Sequence, residues 1–202
     1  MQLYLNATSP YARLVHIVLI EKGLADAVTL EWCDPWADDP ALLKANPAGR
    51  IPALITEEGT TLSESMLIAI YLDSAYPEKS VLPSFHLGEV LHLAGLGQNL
   101  MEAAFTTVIA RKHNGNEIDD SELGQRRWRA IQRLLEQLDR EFGKVPTAST
   151  LCLGDIAAAV ALDYLAFRLP EVEWQETYRP LASWHQGVIT RSSFQATAFT
   201  TS

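Results

Sequence analysis

The chain has 202 residues, 48% of them hydrophobic and 20% charged, with a formal net charge of −9 and two cysteines, Cys33 and Cys152. That length suits one ordinary domain or two small ones with a buried core. The charge has the wrong sign for a protein that lives on phosphate backbones, so no nucleic-acid partner is expected. Two cysteines so far apart build neither a disulfide framework nor a CxxC zinc or redox site, and a reducing, cytoplasmic setting is expected.

The start, MQLYLNATSPYAR, has none of the basic, apolar and cleavage-site sequence of a secretory leader and reads as structure from residue 2. Uncharged stretches such as residues 90–101 fall well short of the ~20 apolar residues that span a bilayer, so no membrane contact is expected.

Gln2 to Asn6 alternates as a strand does, and Pro10 then opens a helix carrying Leu14, Val15, Ile17, Val18 and Leu19 until Gly23 stops it. Val28, Leu30 and Trp32 alternate as a second strand, followed by a polar loop from Asp34 to Pro40 and a short helix at Ala41 to Ala45. Ile51 to Thr56 and Thr60 to Leu62, joined across Gly59, form an antiparallel pair. Ser63-Glu64-Ser65 opens a helix that runs toward Pro77 with Met66, Leu67, Ile70 and Tyr71 on it. The result is a small α/β unit with a mixed four-stranded sheet over residues 1–77.

Residues 78–86 have the Pro, Ser and Lys texture of a linker. Residues 87–202 then read as all-helical: Leu87 to Lys112, Ser121 to Phe142, Gly154 to Phe167, and a last amphipathic helix from Tyr178 to Thr190.

Three short patterns carry chemistry. Ser9-Pro10 sits at a strand-to-helix turn, where unpaired N–H groups and the positive helix end favour an anion or thiolate; an ordinary Ser cap before a Pro is the plain alternative. Arg13 in that first turn has a sign the dipole disfavours, which points to an electrostatic task, a salt bridge or mere exposure. Pro52 lies inside a strand pattern and marks an edge, a bulge or a cis peptide, the last leaving the Ile51 backbone able to pair with an extended peptide. Glu64-Ser65 can meet an ammonium and a carboxylate at a helix start, or can simply complement the dipole.

The five histidines show no metal spacing, Gly95 and Gly97 follow no strand and form no dinucleotide loop, and Cys33 reads as a small strand residue; no metal is assigned. Asp155 follows Cys152 at capping-box spacing, although Cys is a poor cap.

Together, Ser9-Pro10-x-x-Arg13, Asn46-Pro47-x-Gly49-Arg50-Ile51-Pro52-Ala53-Leu54, Ser63-Glu64-Ser65 with Ile68 and Tyr71, and Leu153-Gly154-Asp155-Ile156-Ala157 closely resemble the bacterial cytosolic glutathione S-transferases over the whole chain. The resemblance implies a thioredoxin-like N-terminal domain that binds glutathione, an all-α C-terminal domain that shapes the second-substrate pocket, and a homodimer. It implies that Ile51, before a cis Pro52, pairs with the cysteinyl unit of glutathione and that Glu64 and Ser65 hold the γ-glutamyl end. Ser9 then faces the sulfur as the catalytic group, a backbone N–H at residue 9 or 10 being the alternative activator, and Arg50 is a further contact.

Phe105, Ile109, His113 and Tyr164, with Phe167, are candidates for the hydrophobic second-substrate pocket, although core packing explains them equally well. The implied activity is transfer of the glutathione thiolate to a hydrophobic electrophile, as in detoxification, or a related glutathione-dependent reaction. The rival is a glutathione-binding or protein-interaction module without turnover. Disulfide exchange is disfavoured, because position 9 is Ser and no cysteine is expected near it.

Overall fold

The computed structural model describes residues 1–142 and 150–200. It divides into two compact units, 1–87 with 193–202, and 88–192.

In the first unit β1 (Gln2–Leu5) buries Leu3 and Leu5 and pairs in parallel with β2 (Thr29–Trp32), Leu5 opposite Trp32. On its other side β1 meets β3 (Ala53–Ile55) antiparallel, and β3 meets β4 (Thr61–Ser63) antiparallel, giving a mixed sheet of order β2-β1-β3-β4. Gly59, with φ 80°, supplies the left-handed turn between β3 and β4.

The first helix, α1 (Pro10–Glu21), follows β1 directly. Pro10 sits where a missing N–H does no harm, and Gly23, at φ 74°, ends the helix as Leu24 donates back to the Leu19 carbonyl at 2.8 Å. Leu14, Val15, Ile17, Val18 and Leu19 are all buried, so α1 is apolar nearly all round, as a helix covered on several sides must be. The short α2 (Pro40–Ala45) is capped by the Asp39 carboxylate, and α3 (Ser65–Ala75) packs beside α1.

Lys22, just past α1, reaches Asp73 on α3 at 2.8 Å with its side chain wholly buried. Asp73 also accepts from the Ser80 hydroxyl and the Val81 N–H, both at 2.7 Å, so one carboxylate ties two helices to the start of the linker.

The second unit holds α4 (Leu87–Asn114), α5 (Glu122–Phe142), α6 (Leu153–Arg168), α7 (Trp174–Thr177) and α8 (Arg179–Ile189), with only the first residue of α4 counted in the other unit. The α6 run from Leu153 to Leu162 is almost wholly buried, which makes α6 the central helix. A side chain at Gly97 would lie 2.5 Å from the Ala157 backbone, and one at Gly154 would lie 2.6 Å from the Leu93 Cβ. The two glycines of α4 and α6 therefore set how closely these helices approach. Phe142 of α5 stacks on Trp184 of α8 with ring centres 4.0 Å apart.

At the start of α6 the Asp155 carboxylate accepts from the Cys152 N–H at 2.8 Å, the half of the capping box that does not need a hydroxyl.

Two short helices were not expected, α7 and one near the end of the chain's described residues. A five-residue helix, α9 (Ser192–Ala196), follows α8, and residues 193–202 group with the first unit, whereas the reading above assigned 87–202 wholly to the helical domain. Phe194 is buried there, and the Ser193 hydroxyl donates to the Glu21 carboxylate at the end of α1.

Candidate functional site

The strand registers gather the motif residues at one end of the sheet. Tyr4 faces Ala53, and Ala53 faces Ser63, so the turn after β1, the residues before β3 and the residues after β4 all lie at that end. Ser9, Ile51-Pro52 and Glu64-Ser65 thus sit beyond three adjacent strands. At about 4.8 Å per strand, the step from β1 to β4 is roughly 10 Å, about the length of an extended tripeptide.

Ser9 is the N-cap of α1, its hydroxyl oxygen accepting from the Ala12 N–H at 3.2 Å. Capping uses a lone pair and leaves the hydroxyl hydrogen available to an anion. The turn is held by Asn6, whose Oδ1 accepts from the Thr8 N–H at 3.1 Å and the Ser9 N–H at 2.8 Å. That engages the Ser9 N–H, and Pro10 has none. Asn6 was passed over as the end of a strand; an Asn two and three residues before the N–H groups it binds was the available signal.

The Ile51–Pro52 peptide is cis. Asn46 braces this approach from below, its Nδ2 donating to the Arg50 carbonyl at 2.8 Å while the Arg50 side chain is exposed. Glu64 precedes α3 with φ 69° and ψ 117°, a left-handed conformation rare for a residue with a Cβ, and is exposed; Ser65 at the first helical position is buried. Non-glycine residues in such conformations concentrate at ligand sites.

Arg13 does not join this group. Its side chain is buried and turned to the C-terminal segment, with Nε donating to Thr197 Oγ1 and Nη2 to the Phe194 carbonyl, both at 3.3 Å, and its Cζ lies 4.4 Å from the centre of the Phe199 ring. Of the alternatives offered for Arg13, mere exposure is overturned by that burial.

Cys33 was expected to lie away from Ser9. The parallel register instead puts it just past Trp32, donating its N–H to the Leu5 carbonyl at the same sheet end. Burial, reinforced by the charges of Asp39 and Asp34, pushes its thiol above the ordinary value, against a weaker opposing hydrogen bond to Leu5. A thiol so tuned is a poor nucleophile at neutral pH. Among the described residues no group of three or more His, Cys, Asp or Glu could hold a metal, and no helix is long and apolar enough to cross a membrane.

Two family models match the chain, the glutathione S-transferase N-terminal domain over residues 8–75 and the glutathione S-transferase C-terminal domain over residues 121–187. The chain is also 30% identical to the uncharacterized GST-like protein YibF of Escherichia coli (strain K12), over 98% of each sequence. It belongs to the bacterial glutathione S-transferase family.

A glutathione transferase family member from Pseudomonas fluorescens Pf-5, solved with bound glutathione, superposes on this chain with a TM-score of 0.88 at 32% identity, covering 99% of both chains. A glutathione S-transferase from Methylobacterium radiotolerans, in complex with glutathione sulfonate, gives 0.89 at 28% identity, covering 100% of this chain and 95% of that one. The family's two-part architecture, a thioredoxin-like mixed sheet followed by helices, is the one found here.

In the helical unit of this family member, Phe105 and Ile109 are half-buried on α4, and His113 near its end is exposed. Tyr164 on α6 is buried, and that burial pushes its hydroxyl up to about 12, against the opposing effect of Arg168, so it keeps its proton at neutral pH.

Proposed function

We propose that this protein is a glutathione S-transferase enzyme that activates the glutathione thiol for attack on a hydrophobic electrophile. The observation that carries this is the gathering of Ser9, Ile51-Pro52 and Glu64-Ser65 at one end of the sheet by the strand registers. In this reading Glu64 receives the ammonium and Ser65, with the first N–H groups of α3, the carboxylate of the γ-glutamyl end. Ile51 pairs with the cysteinyl backbone, Arg50 is a further contact, and Ser9 faces the sulfur.

The energetics suit that role. A thiol of pKa near ~8.5 needs about 2.7 kcal/mol of preferential thiolate stabilisation to reach ~6.5. A hydroxyl donating to a charged acceptor contributes about 1.5 to 3 kcal/mol and a helix N-terminus about 0.3 to 1 more. Holding the thiolate beside an electrophile then supplies proximity, with no covalent step on the protein.

Phe105, Ile109, His113 and Tyr164 of the helical unit receive the electrophile. The working form is a cytoplasmic homodimer, supported by the exposure of Leu67 and Ile70 on α3 and of Leu87 and Leu91 on α4.

The test is calorimetric and spectroscopic. Glu64→Ala with Ser65→Ala is expected to weaken glutathione binding by tenfold or more, about 1.4 kcal/mol; unchanged affinity sinks the site. Ser9→Ala is expected to move the ultraviolet thiolate band of bound glutathione to higher pH. A panel of electrophiles that is silent while glutathione still binds favours the non-catalytic module instead.

A further inference from the structure

Arg168, in the helical unit, is a cation that the reading above does not use. Arg168 ends α6, one turn beyond Tyr164, to whose hydroxyl it hydrogen-bonds; a guanidinium has no acceptor, so Arg168 is the donor. Its Cζ lies 4.2 Å from the centre of the Phe167 ring, and its Nε is shut off from solvent with no hydrogen-bond partner. No carboxylate among the described residues pairs with it. Arg111, by contrast, is matched by both Asp119 and Glu171. Arg168 is half-buried, and a partly shielded guanidinium with no counter-charge can take an anion.

Its level along the helices can be worked out. Gly154 faces Val90 and Leu93, and Gly97 faces Ala157 and Ala158, so α4 and α6 run side by side in the same direction. Eight residues further on, about 12 Å at 1.5 Å per residue, Phe105 is level with residues 165 and 166, and twelve on, about 18 Å, Ile109 is level with the end of α6. The ion pair from Arg111 to Glu171, just past the end of α6, keeps the same register. Arg168 therefore ends α6 near the level of Ile109, with Phe105 about a turn earlier along α4 and Phe167 beside it, all three apolar side chains half-buried.

We propose that Arg168 selects the second substrate: an electrophile bearing a carboxylate, the anionic group held by the guanidinium fork and the apolar body against Phe105, Ile109 and Phe167. A carboxylate, being planar, suits the fork's paired N–H groups. The inference rests on the glutathione transferase reading above.

The test compares 4-chloro-3-nitrobenzoate with the uncharged 4-chloro-3-nitrobenzamide, each rate divided by its uncatalysed rate. In both, the thiolate sulfur forms a bond to the ring carbon and chloride leaves with the electron pair of the broken C–Cl bond. Wild-type protein is expected to prefer the benzoate in kcat/KM. Arg168→Met is expected to cut that preference about tenfold or more, chiefly through KM, and Arg168→Lys to keep part of it.

Calorimetry with the two purified conjugates, S-(4-carboxy-2-nitrophenyl)glutathione and its carboxamide, gives the same comparison without turnover. Glutathione affinity, unchanged in Arg168→Met, reports that the variant is folded. No preference in the wild type, or one that survives Arg168→Met, overturns the inference. If the wild type binds glutathione and both conjugates alike, only this inference fails; if it binds no glutathione, the reading beneath it fails as well.

Discussion

Glu64 combines an exposed carboxylate with a φ of 69°, where a side chain raises the local energy by about 1–3 kcal/mol. Glycine removes that penalty. Glu64→Gly is therefore expected to raise the urea midpoint, by a stability gain on the order of 1 kcal/mol, while weakening glutathione binding in calorimetry. A variant that loses stability would show that the backbone there is not strained.

Asp73 is the second residue whose setting decides its chemistry. Burial alone would raise its pKa, but hydrogen bonds from Lys22, Ser80 and the Val81 N–H, with the Lys22 charge, outweigh burial and hold the carboxyl below its ordinary value of 3.8. A depressed folded-state pKa contributes stability that is complete above the unfolded value and is lost as pH falls through the folded one. At pH 7, Asp73→Asn should cost about 3 kcal/mol, because it strands the buried Lys22 ammonium. The gap between wild type and variant should narrow as pH falls below 3.8, which urea titrations at pH 7, 4 and 3 would read.

Among elements, α1 links the candidate site to the far end of the chain. Its first turn carries Ser9, and Arg13 within that turn is held by Phe194, Thr197 and Phe199. Losing two hydrogen bonds to a buried cation and its stacking on Phe199 should cost Arg13→Met about 2 kcal/mol or more in denaturant unfolding. A double-mutant cycle with Phe199→Ala should show coupling of at least about 0.5 kcal/mol; additivity would mean the segment does not fasten the helix.

The sequence signalled most of the elements and missed this fastening. Pro10, Gly23 and the apolar spacing mark α1 within a few residues of chain, but Arg13 meets Phe194 across 181 positions. Helix α9, with five residues, is too short to show a period. For Gly97 the sequence excluded only a dinucleotide loop, and its role, the close approach of the Ala157 backbone, depends on a partner sixty positions away.

Across the whole molecule, the charge is uneven. Residues 1–76 carry 4 Lys or Arg against 10 Asp or Glu, net −6 of the total −9, yet this is the part that supplies the proposed glutathione site. An anionic peptide must be held there by local donors, the Ser9 hydroxyl and the first N–H groups of α3, against the field of the domain. Arg13 is buried in the fold, whereas Arg50, the further contact named from the sequence, is exposed. Salt screens an unfavourable field, so raising it from 0.05 to 0.5 M, roughly 14 to 4 Å in Debye length, should leave glutathione affinity unchanged or slightly improved in calorimetry. A steep loss would mean that exposed cations do the holding.

Alternation, helical spacing and the stops at Pro and Gly act over a few residues, so the sequence by itself determined the order of strands and helices, the change from sheet to helices, and which residues could bear the chemistry. Only the tertiary structure decided which of them lie together. Register brings Ser9, Ile51 and Glu64 to one sheet end, moves Cys33 there too, and the folding back of α9 takes Arg13 into the interior. Pairing across strands and desolvation of a charge depend on partners tens to hundreds of positions away, which no local pattern encodes.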